Sequence, residues 1–269
     1  MKKLTRIILT AGVFLLLAAG SSWAGLSIGE MTLENTSLPG QEYSGRIAVH
    51  NTGNETAEAN IYLTDYLFYA DGREIYGEPG KDPRSNAGWL SFSPKRLTIP
   101  PKETAEINYS IRVPEDPTLT GSYWCLLMIE AVPPRASEHG KADAPALMLK
   151  TVVRYGIQIV THIGDTGEKN LRFFNIKSLT TDLTHSLQLD VEDTGERMFH
   201  VKMSVELYDE KGISFGKHEG KNSYLFPKTS GRFLIDLGPI PQGTYKALVV
   251  ADCGGDDLFG ASYALKIDQ

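Results

Sequence analysis

Apolar and polar residues alternate with the two-residue period of a β-strand along most of this chain. Few segments have the three-to-four-residue apolar spacing of an amphipathic helix, so helices are not expected to build the core. Turn-forming pairs such as Pro39-Gly40 and Asp71-Gly72 separate the alternating runs. The sequence therefore predicts an all-β protein.

The alternating runs define candidate strands in both halves of the chain. In the first half they cover residues 26–34, 42–51, 57–69, 87–92, 104–113, 121–132 and 146–163. In the second half they cover residues 170–178, 183–192, 197–208, 223–226, 230–237, 243–252 and 259–267. About seven short strands per hundred-odd residues favour β-sandwiches of immunoglobulin type.

The first 24 residues have the composition of an export signal. Basic residues within the first six positions precede a 13-residue apolar run from Ile7 to Ala19, and Ser22-Trp23-Ala24 offers small residues at a cleavage site. The run is shorter than the roughly 20 residues that a membrane-spanning helix needs. We therefore expect cleavage after Ala24, export to the periplasm and no membrane insertion.

Net charge excludes two classes of partner. After cleavage 245 residues remain, and the loss of three basic residues changes the formal net charge from −6 to −9. A protein of that charge is repelled by nucleic acids and by anionic membranes, so neither is an expected partner. The length fits one large or two ordinary domains.

A weak internal repeat favours two domains. Asn51-Thr52-Gly53 and Asp193-Thr194-Gly195 each precede an apolar run, and Pro101-Lys102 and Pro227-Lys228 follow in the same order. We expect a signal peptide over residues 1–24, a first immunoglobulin-like β-sandwich over 25–164 and a second immunoglobulin-like β-sandwich over 165–269.

A tyrosine and a cysteine in each half bear on the immunoglobulin interpretation. Tyr123 and Tyr245 follow Gly-x pairs, at the corner where such a sandwich turns a tyrosine hydroxyl back to upstream backbone. Cys125 lies two residues after Tyr123, but the second strand has no cysteine to pair with it. A buried free thiol is favoured over a bond between Cys125 and Cys253, which would join two sandwiches.

Five short motifs occur in order through the first half of the chain. They are Leu38-Pro39-Gly40-Gln41, Val49-His50-Asn51-Thr52-Gly53, Trp89-Leu90-Ser91-Phe92-Ser93-Pro94, Leu97-Thr98-Ile99-Pro100-Pro101 and Gly121-Ser122-Tyr123-Trp124. Together they resemble the first domain of bacterial periplasmic pilus-assembly chaperones, over residues 26 to about 163. The resemblance implies that the last strand of this domain is long, lies at a sheet edge and is lent to an incomplete partner sandwich.

The corresponding strand covers residues 146–163. In the family, a basic residue of this strand and an Arg of the first strand hold the partner's terminal carboxylate, and Arg154 is the nearest match by position. No Arg or Lys occurs between residues 25 and 40. The resemblance implies partner binding at Leu149, Val152, Arg154 and Tyr155. The alternative is a strand that links two domains, with Lys150 and Arg154 as edge charges that discourage pairing.

Patterns typical of catalysis or metal binding are weak. Asp165 and Asp193 begin Asp-Thr-Gly triplets, as in aspartic proteases, but a separation of 28 positions cannot hold a protease lobe, so tight turns are expected. The acidic residues from Asp252 to Asp257 favour a hairpin turn over a Ca²⁺ site. The histidines are dispersed. No catalytic residue, metal or cofactor is expected.

Aromatic residues crowd positions 61–76. Alternation places Tyr62, Tyr66 and Phe68 on one face of a strand and Tyr69 on the other. Core packing accounts for at least one face, and the other is available for a polymer or a partner sheet.

The sequence thus predicts a non-enzymatic, chaperone-like or assembly protein of the periplasm that binds another exported β-rich protein through an edge strand. A structural or adhesive module of a cell-surface assembly is the alternative. Fractionation separates the two, because a structural subunit sediments with surface material.

Overall fold

A computed structural model describes residues 25–133, 152–181 and 184–267, so the predicted signal peptide lies outside the described residues. Among the described residues, no helix has the length and apolar character needed to cross a membrane. The first ten strands are β1 (Leu26–Ile28), β2 (Thr32–Ser37), β3 (Glu42–Asn51), β4 (Ala57–Phe68), β5 (Glu74–Gly77), β6 (Leu90–Ser93), β7 (Arg96–Ile99), β8 (Thr104–Arg112), β9 (Gly121–Val132) and β10 (Arg154–Ile163). The later ones are β11 (Leu171–Thr181), β12 (Thr184–Asp193), β13 (Phe199–Tyr208), β14 (Ser214–Glu219), β15 (Ser223–Leu225), β16 (Ser230–Gly238), β17 (Gly243–Asp252) and β18 (Leu258–Ile267).

Strands β1 to β10 form two sheets around one core. One sheet has the order β1-β3-β8-β6, and the other has the order β2-β10-β9-β4-β5 with β7 paired to β4. Alternate residues of the strands face inward, so Ile107 and Ile111 of β8 and Ile157 and Ile159 of β10 are buried in the same cluster.

Strands β11 to β18 form a second pair of sheets with a separate core. Their orders are β11-β12-β16 and β14-β13-β17-β18, with β15 paired to β13. Val201 and Val205 of β13 pack with Val249 of β17 in this core. The prediction of an all-β fold with two tandem immunoglobulin-like sandwiches is confirmed. The boundary between residues 164 and 165 stays a prediction.

The internal repeat is visible in backbone geometry. Asn51 and Asp193 end equivalent strands, and the Oδ1 of each accepts the amide two residues later, at 2.9 Å in both turns. Lys102 and Lys228, of the two Pro-Lys pairs, have the unusual positive φ angles of 63° and 65°. The two sandwiches therefore share local turn chemistry as well as strand order.

The predicted tyrosine corner is present in one sandwich. The Tyr245 hydroxyl donates to the carbonyl of Pro241 at 2.7 Å, as predicted. The prediction for Tyr123 is wrong, since among the described residues its hydroxyl has no such upstream carbonyl partner. Its ring packs instead on Trp89, at 4.7 Å between centroids, with the Arg84 guanidinium 5.2 Å from its centroid. Packing between rings and a cation replaces the hydrogen bond.

Both cysteines are free. Cys125 is fully buried in the first core, and Cys253 is partly buried against the second. The prediction of a buried free thiol at Cys125 is confirmed. Burial raises the pKa of the Cys125 thiol well above its usual value, so it behaves as a small apolar residue.

The single strand predicted over residues 26–34 is wrong. The structure has two strands there, with β1 antiparallel to β3 in one sheet and β2 parallel to β10 in the other. The chain changes sheets through Gly29, Glu30 and Met31. Crossing in this way lets one segment satisfy backbone groups at the edges of both sheets.

Strands β5, β7 and β14 were not predicted. They have four to six residues, and β5 and β14 are almost wholly exposed. Backbone pairing with β4 and β13 holds them at the edges of sheets. β5 and β14 bury little apolar surface and so lack a clear alternation of apolar and polar residues, whereas β7 alternates but has only four residues.

A third apolar cluster joins the sandwiches. Trp124 and Val160 of the first contact Met198 and Phe226 of the second. The rings of Trp124 and Phe226 lie 4.9 Å apart between centroids, and the indole Nε1–H donates to the Tyr66 carbonyl at 2.9 Å. The junction is thus a packed interface.

Polar contacts surround this cluster. The Arg84 guanidinium contacts the Glu196 carboxylate at 2.9 Å and donates to the Thr120 carbonyl at 2.5 Å. The amide of Ser122 donates to the Glu196 carbonyl at 2.8 Å. Charge-assisted bonds with little exposure at Arg84 hold the two sandwiches in one relative orientation.

Candidate functional site

Strand β10 is the last strand of the first sandwich and contains two of the four predicted binding residues, Arg154 and Tyr155. It pairs antiparallel with β9 along its whole length, from Arg154 opposite Glu130 to Ile163 opposite Gly121. Its odd-numbered side chains face the core, while Arg154 faces solvent, as alternation along a strand requires.

The predicted bounds and the predicted edge position of this strand need correction. The strand was predicted over 146–163, but it begins at Arg154, with Val152 and Val153 outside it and residues 146–151 outside the described residues. From Gln158 to Ile163 it pairs in parallel with β2, so this half is internal to the sheet. The physical reason is the change of sheets near Gly29, which brings β2 alongside β10.

The other half of the strand keeps an open edge. Within the described residues, no strand pairs with Arg154–Ile157 on the side away from β9. The Gln158 amide donates to the carbonyl of Met31, on the side away from β9, and the Val153 carbonyl accepts from the amide of Ala131 on β9. Even-numbered residues therefore direct their backbone groups away from β9, and odd-numbered residues direct theirs toward it. By that alternation, the N–H and C=O groups of Arg154 and Gly156 face the open edge, and those of Val152 continue its line.

The structure places two of the four predicted binding residues, Val152 and Arg154, at this edge, whereas the Tyr155 side chain points toward the core and β1. The side chain of Val152 is exposed, and the Arg154 guanidinium contacts the Glu130 carboxylate at 2.5 Å. The Tyr155 hydroxyl donates to the carbonyl of Leu26 at 2.5 Å, which ties β10 to β1 across the sandwich. Leu149 lies outside the described residues.

Burial and charge at the edge indicate what it can bind. Val152 and Val153 expose 41% and 48% of their surface, although valine is usually buried. Arg154 is held by Glu130 of the neighbouring strand, which leaves its charge partly compensated. An apolar, extended segment with free backbone groups fits this edge better than a charged ligand does.

A groove lies on the outer face of the same sheet. Its volume is about 380 Å³, its walls are Tyr62, Tyr66 and Tyr76, and it reaches Gly156 on β10. Alternation correctly predicted that Tyr62 and Tyr66 share a face. The floor of the groove, Leu126 and Met128, was not predicted, because these residues are distant in sequence from the tyrosines. A glycine within the β10 pattern was the available signal.

A Ser–His–Glu chain, with its serine and histidine buried and its glutamate exposed, resembles a catalytic triad in composition. Ser122 Oγ lies 2.8 Å from His162 Nδ1, and His162 Nε2 lies 3.1 Å from the Glu34 carboxylate. Ser122 is fully buried, and its hydroxyl oxygen accepts the Met198 amide of the second sandwich at 2.9 Å. The hydroxyl is enclosed and occupied, so this chain fastens the two sandwiches together.

The Asp-Thr-Gly aspartates do not form a shared site. The Asp165 side chain is 94% exposed and contacts Arg197, whereas Asp193 is buried at its turn. The acidic turn after β17 is a hairpin, as predicted, with Asp252 opposite Leu258. In the described part of the chain, no three His, Cys, Asp or Glu side chains are grouped as metal ligands would be.

Comparisons with known proteins show that this chain is similar to several solved structures. No protein-family model and no curated protein matches this sequence. The class 5 fimbriae chaperone CfaA is 15% identical, with a TM-score of 0.47 over 91% of this chain and 100% of the other. A chain from the chaperone–tip adhesin complex of CFA/I fimbriae is 14% identical, with a TM-score of 0.47 over 90% and 98%. A chain from the Salmonella enterica SafA pilin–SafB chaperone complex is 14% identical, with a TM-score of 0.44 over 90% and 97%.

Proposed function

We propose that this protein is a non-enzymatic, chaperone-like or assembly protein of the periplasm that binds another exported β-rich protein by pairing a strand with the open edge of β10. Export follows from the signal peptide proposed over residues 1–24. The observation that carries the proposal is the unpaired side of Arg154–Ile157 within the described residues.

Backbone chemistry supports strand pairing at this edge. An exposed N–H or C=O is satisfied by water in the free protein, and a partner strand replaces that water with a ladder of hydrogen bonds. Arg154 and Gly156 supply two donors and two acceptors, and the exposed Val152 and Val153 add apolar surface beside them. Pairing here extends the line of β2, because β2 begins opposite Gln158.

The surrounding structure supports a preformed site. Arg154–Ile157 are held by β9 on one side, and the Tyr155 hydroxyl fixes β10 to β1 at the sandwich edge. A rigid strand loses little conformational entropy when a partner adds to it. The motif resemblance to pilus-assembly chaperones supports the same function.

Replacing Val152 with proline is expected to abolish capture of the partner while leaving the second sandwich folded. Proline removes the amide that continues the open edge and fixes φ, so a partner strand loses a hydrogen bond and a straight template. The measurement is co-purification, from periplasmic extract, of the partner first identified with the unaltered protein.

Val152→Thr is the matched control, because threonine keeps the amide and the β-branched shape. We expect Val152→Thr to retain the partner with affinity reduced by less than about tenfold. Equal capture by the proline variant and the unaltered protein would remove the proposal.

A further inference from the structure

The groove on the outer face of the β5-β4-β9-β10 sheet, here called the tyrosine groove, has a chemistry that edge pairing does not explain. Its walls are the rings of Tyr62, Tyr66 and Tyr76, and its floor is the buried pair Leu126 and Met128. Aromatic walls over an apolar floor are typical of sites for ligands that combine an apolar body with a polar group.

Every wall hydroxyl of the tyrosine groove donates to a carboxylate. Tyr62 donates to Glu130 at 3.0 Å, and Tyr66 and Tyr76 donate to the two oxygens of Glu74 at 3.1 and 3.0 Å. Burial and the neighbouring Glu74 raise the pKa of Tyr66 and of Tyr76 above the usual value, so both phenols stay protonated as donors.

The two carboxylates differ in charge compensation. Glu130 contacts the Arg154 guanidinium, which neutralises that end of the groove. Across the described residues, no Lys, Arg or His lies within ion-pair distance of Glu74, and the nearby Arg73 contacts Asp71 instead. The Glu74 end therefore combines an uncompensated negative charge with the faces of two rings, whose centroids are 5.1 Å apart.

A positive charge is the complement of this arrangement. The face of an aromatic ring is negative and attracts ammonium and guanidinium groups, and a nearby carboxylate adds to that attraction. An uncharged apolar side chain would fill the floor but would leave the Glu74 carboxylate without a counter-charge. An anionic ligand would be repelled by it.

We propose that the tyrosine groove binds a lysine or arginine side chain of the partner that pairs with β10, with the cation at the Glu74 end and its aliphatic stem over Leu126 and Met128. This inference rests on the proposed function for the source of the side chain. Continuity supports it, because Arg154 and Gly156 line the groove and also belong to the open edge. A partner seated at that edge overlaps the groove.

Gly156 shapes the connection between the groove and the edge. A Cβ placed on Gly156 would lie 3.0 Å from Leu126 Cδ1 and 3.2 Å from Met128 Sδ, so a side chain there would displace the floor. The absence of a side chain leaves the outer surface of β10 low enough for a partner to lie across it.

The first test measures cation binding to the tyrosine groove in the absence of a partner protein. Choline chloride is titrated against its uncharged carbon isostere, and tyrosine ring signals are followed by NMR. We expect saturable shifts with choline and none with the isostere, and we expect Glu74→Gln and Tyr76→Leu each to weaken choline binding about fivefold. Tyr263→Leu, in the second sandwich, is the control and should have no effect. Equal shifts from choline and the isostere, or binding unaffected by Glu74→Gln, would overturn the inference.

The second test uses the captured partner. Glu74→Gln and Tyr76→Leu should each weaken the complex about fivefold and reduce its sensitivity to salt, while Val152→Pro abolishes it. Partner affinity unchanged in both groove variants would overturn the assignment of the partner as the source of the cation. If Val152→Pro has no effect, the proposed function fails, and the choline titration still decides whether the groove binds a cation.

Discussion

Replacing Gly121 with alanine is expected to loosen the junction between the two sandwiches and to lower the free energy of unfolding by about 3 kcal/mol. Gly121 has a φ of +72°, and a Cβ built there would lie 2.0 Å from the carbonyl oxygen of Glu196. That oxygen accepts the Ser122 amide, so neither backbone can move without losing the bond. The clash adds to the cost of the left-handed conformation.

Gly254→Ala is the matched control for Gly121→Ala. Gly254 also has a positive φ, +86°, but a Cβ there would meet no atom within 4 Å. Gly254→Ala should therefore lower the free energy of unfolding by about 1 to 2 kcal/mol, from backbone strain alone. Urea unfolding followed by tryptophan fluorescence measures both, because Trp124 packs on Phe226 across the junction. Equal losses in the two variants would show that close approach at Gly121 does not hold the junction.

The second large effect is expected in the pH dependence of stability, through Asp193. This carboxyl group is fully buried, and Oδ1 accepts the Gly195 amide while Oδ2 has no hydrogen-bond partner among the described residues. Burial raises the pKa of Asp193 to about 8, against the lowering effects of the Gly195 amide and of Arg84; Glu192 adds to the rise. The folded protein therefore holds a proton that the unfolded chain releases above a pKa of 3.8.

The sign follows from this difference in bound protons. Between about pH 4 and pH 8 the folded state binds more protons at Asp193 than the unfolded state does, so the free energy of unfolding falls as pH rises. The contribution of the Asp193 proton to the free energy of unfolding is complete below about pH 4 and is lost as the pH rises through about 8. Above that pH the fold contains a buried carboxylate with one unsatisfied oxygen.

Asp193→Asn is expected to remove this pH dependence and to raise the unfolding temperature at about pH 9. The equivalent residue of the first sandwich, Asn51, shows why, since its Nδ2 donates to the carbonyls of Glu55 and Ile99 at 2.7 and 2.9 Å. The reciprocal variant, Asn51→Asp, should cause the same loss of stability at alkaline pH in the first sandwich. Calorimetry across the pH range measures both, and superimposable profiles for Asp193→Asn and the unaltered protein would contradict the assignment.

Apolar patterning was sufficient to predict the long strands. Residues 121–132 and 243–252 were predicted as strands with the bounds that β9 and β17 have. One face of β17 is buried, which imposes a period of two on its side chains, whereas β9 is a mainly apolar run that is buried on both faces. The exposed strands β5 and β14 escaped prediction because backbone pairing holds them, and pairing leaves no periodic mark on the sequence.

The candidate site was predictable in part. Arg154 could be placed on the last strand of the first sandwich because that strand follows the motif order, whereas Val152 lies just before the strand. The cover that β2 provides could not be predicted, since it depends on a parallel pairing between Thr32 and Gln158. The tyrosine groove needed Leu126 and Met128 beneath Tyr62, a proximity that is set by the register of β4 and β9.

Amide hydrogen exchange in the free protein and in its complex tests strand pairing at β10 most directly. The amides of Arg154 and Gly156 face the open edge, while those of Tyr155 and Ile157 face β9 and serve as internal controls. The account predicts that a bound partner slows exchange at Arg154 and Gly156 at least about tenfold and leaves Tyr155 and Ile157 unchanged. A stable complex in which Arg154 and Gly156 exchange as fast as in the free protein would contradict it.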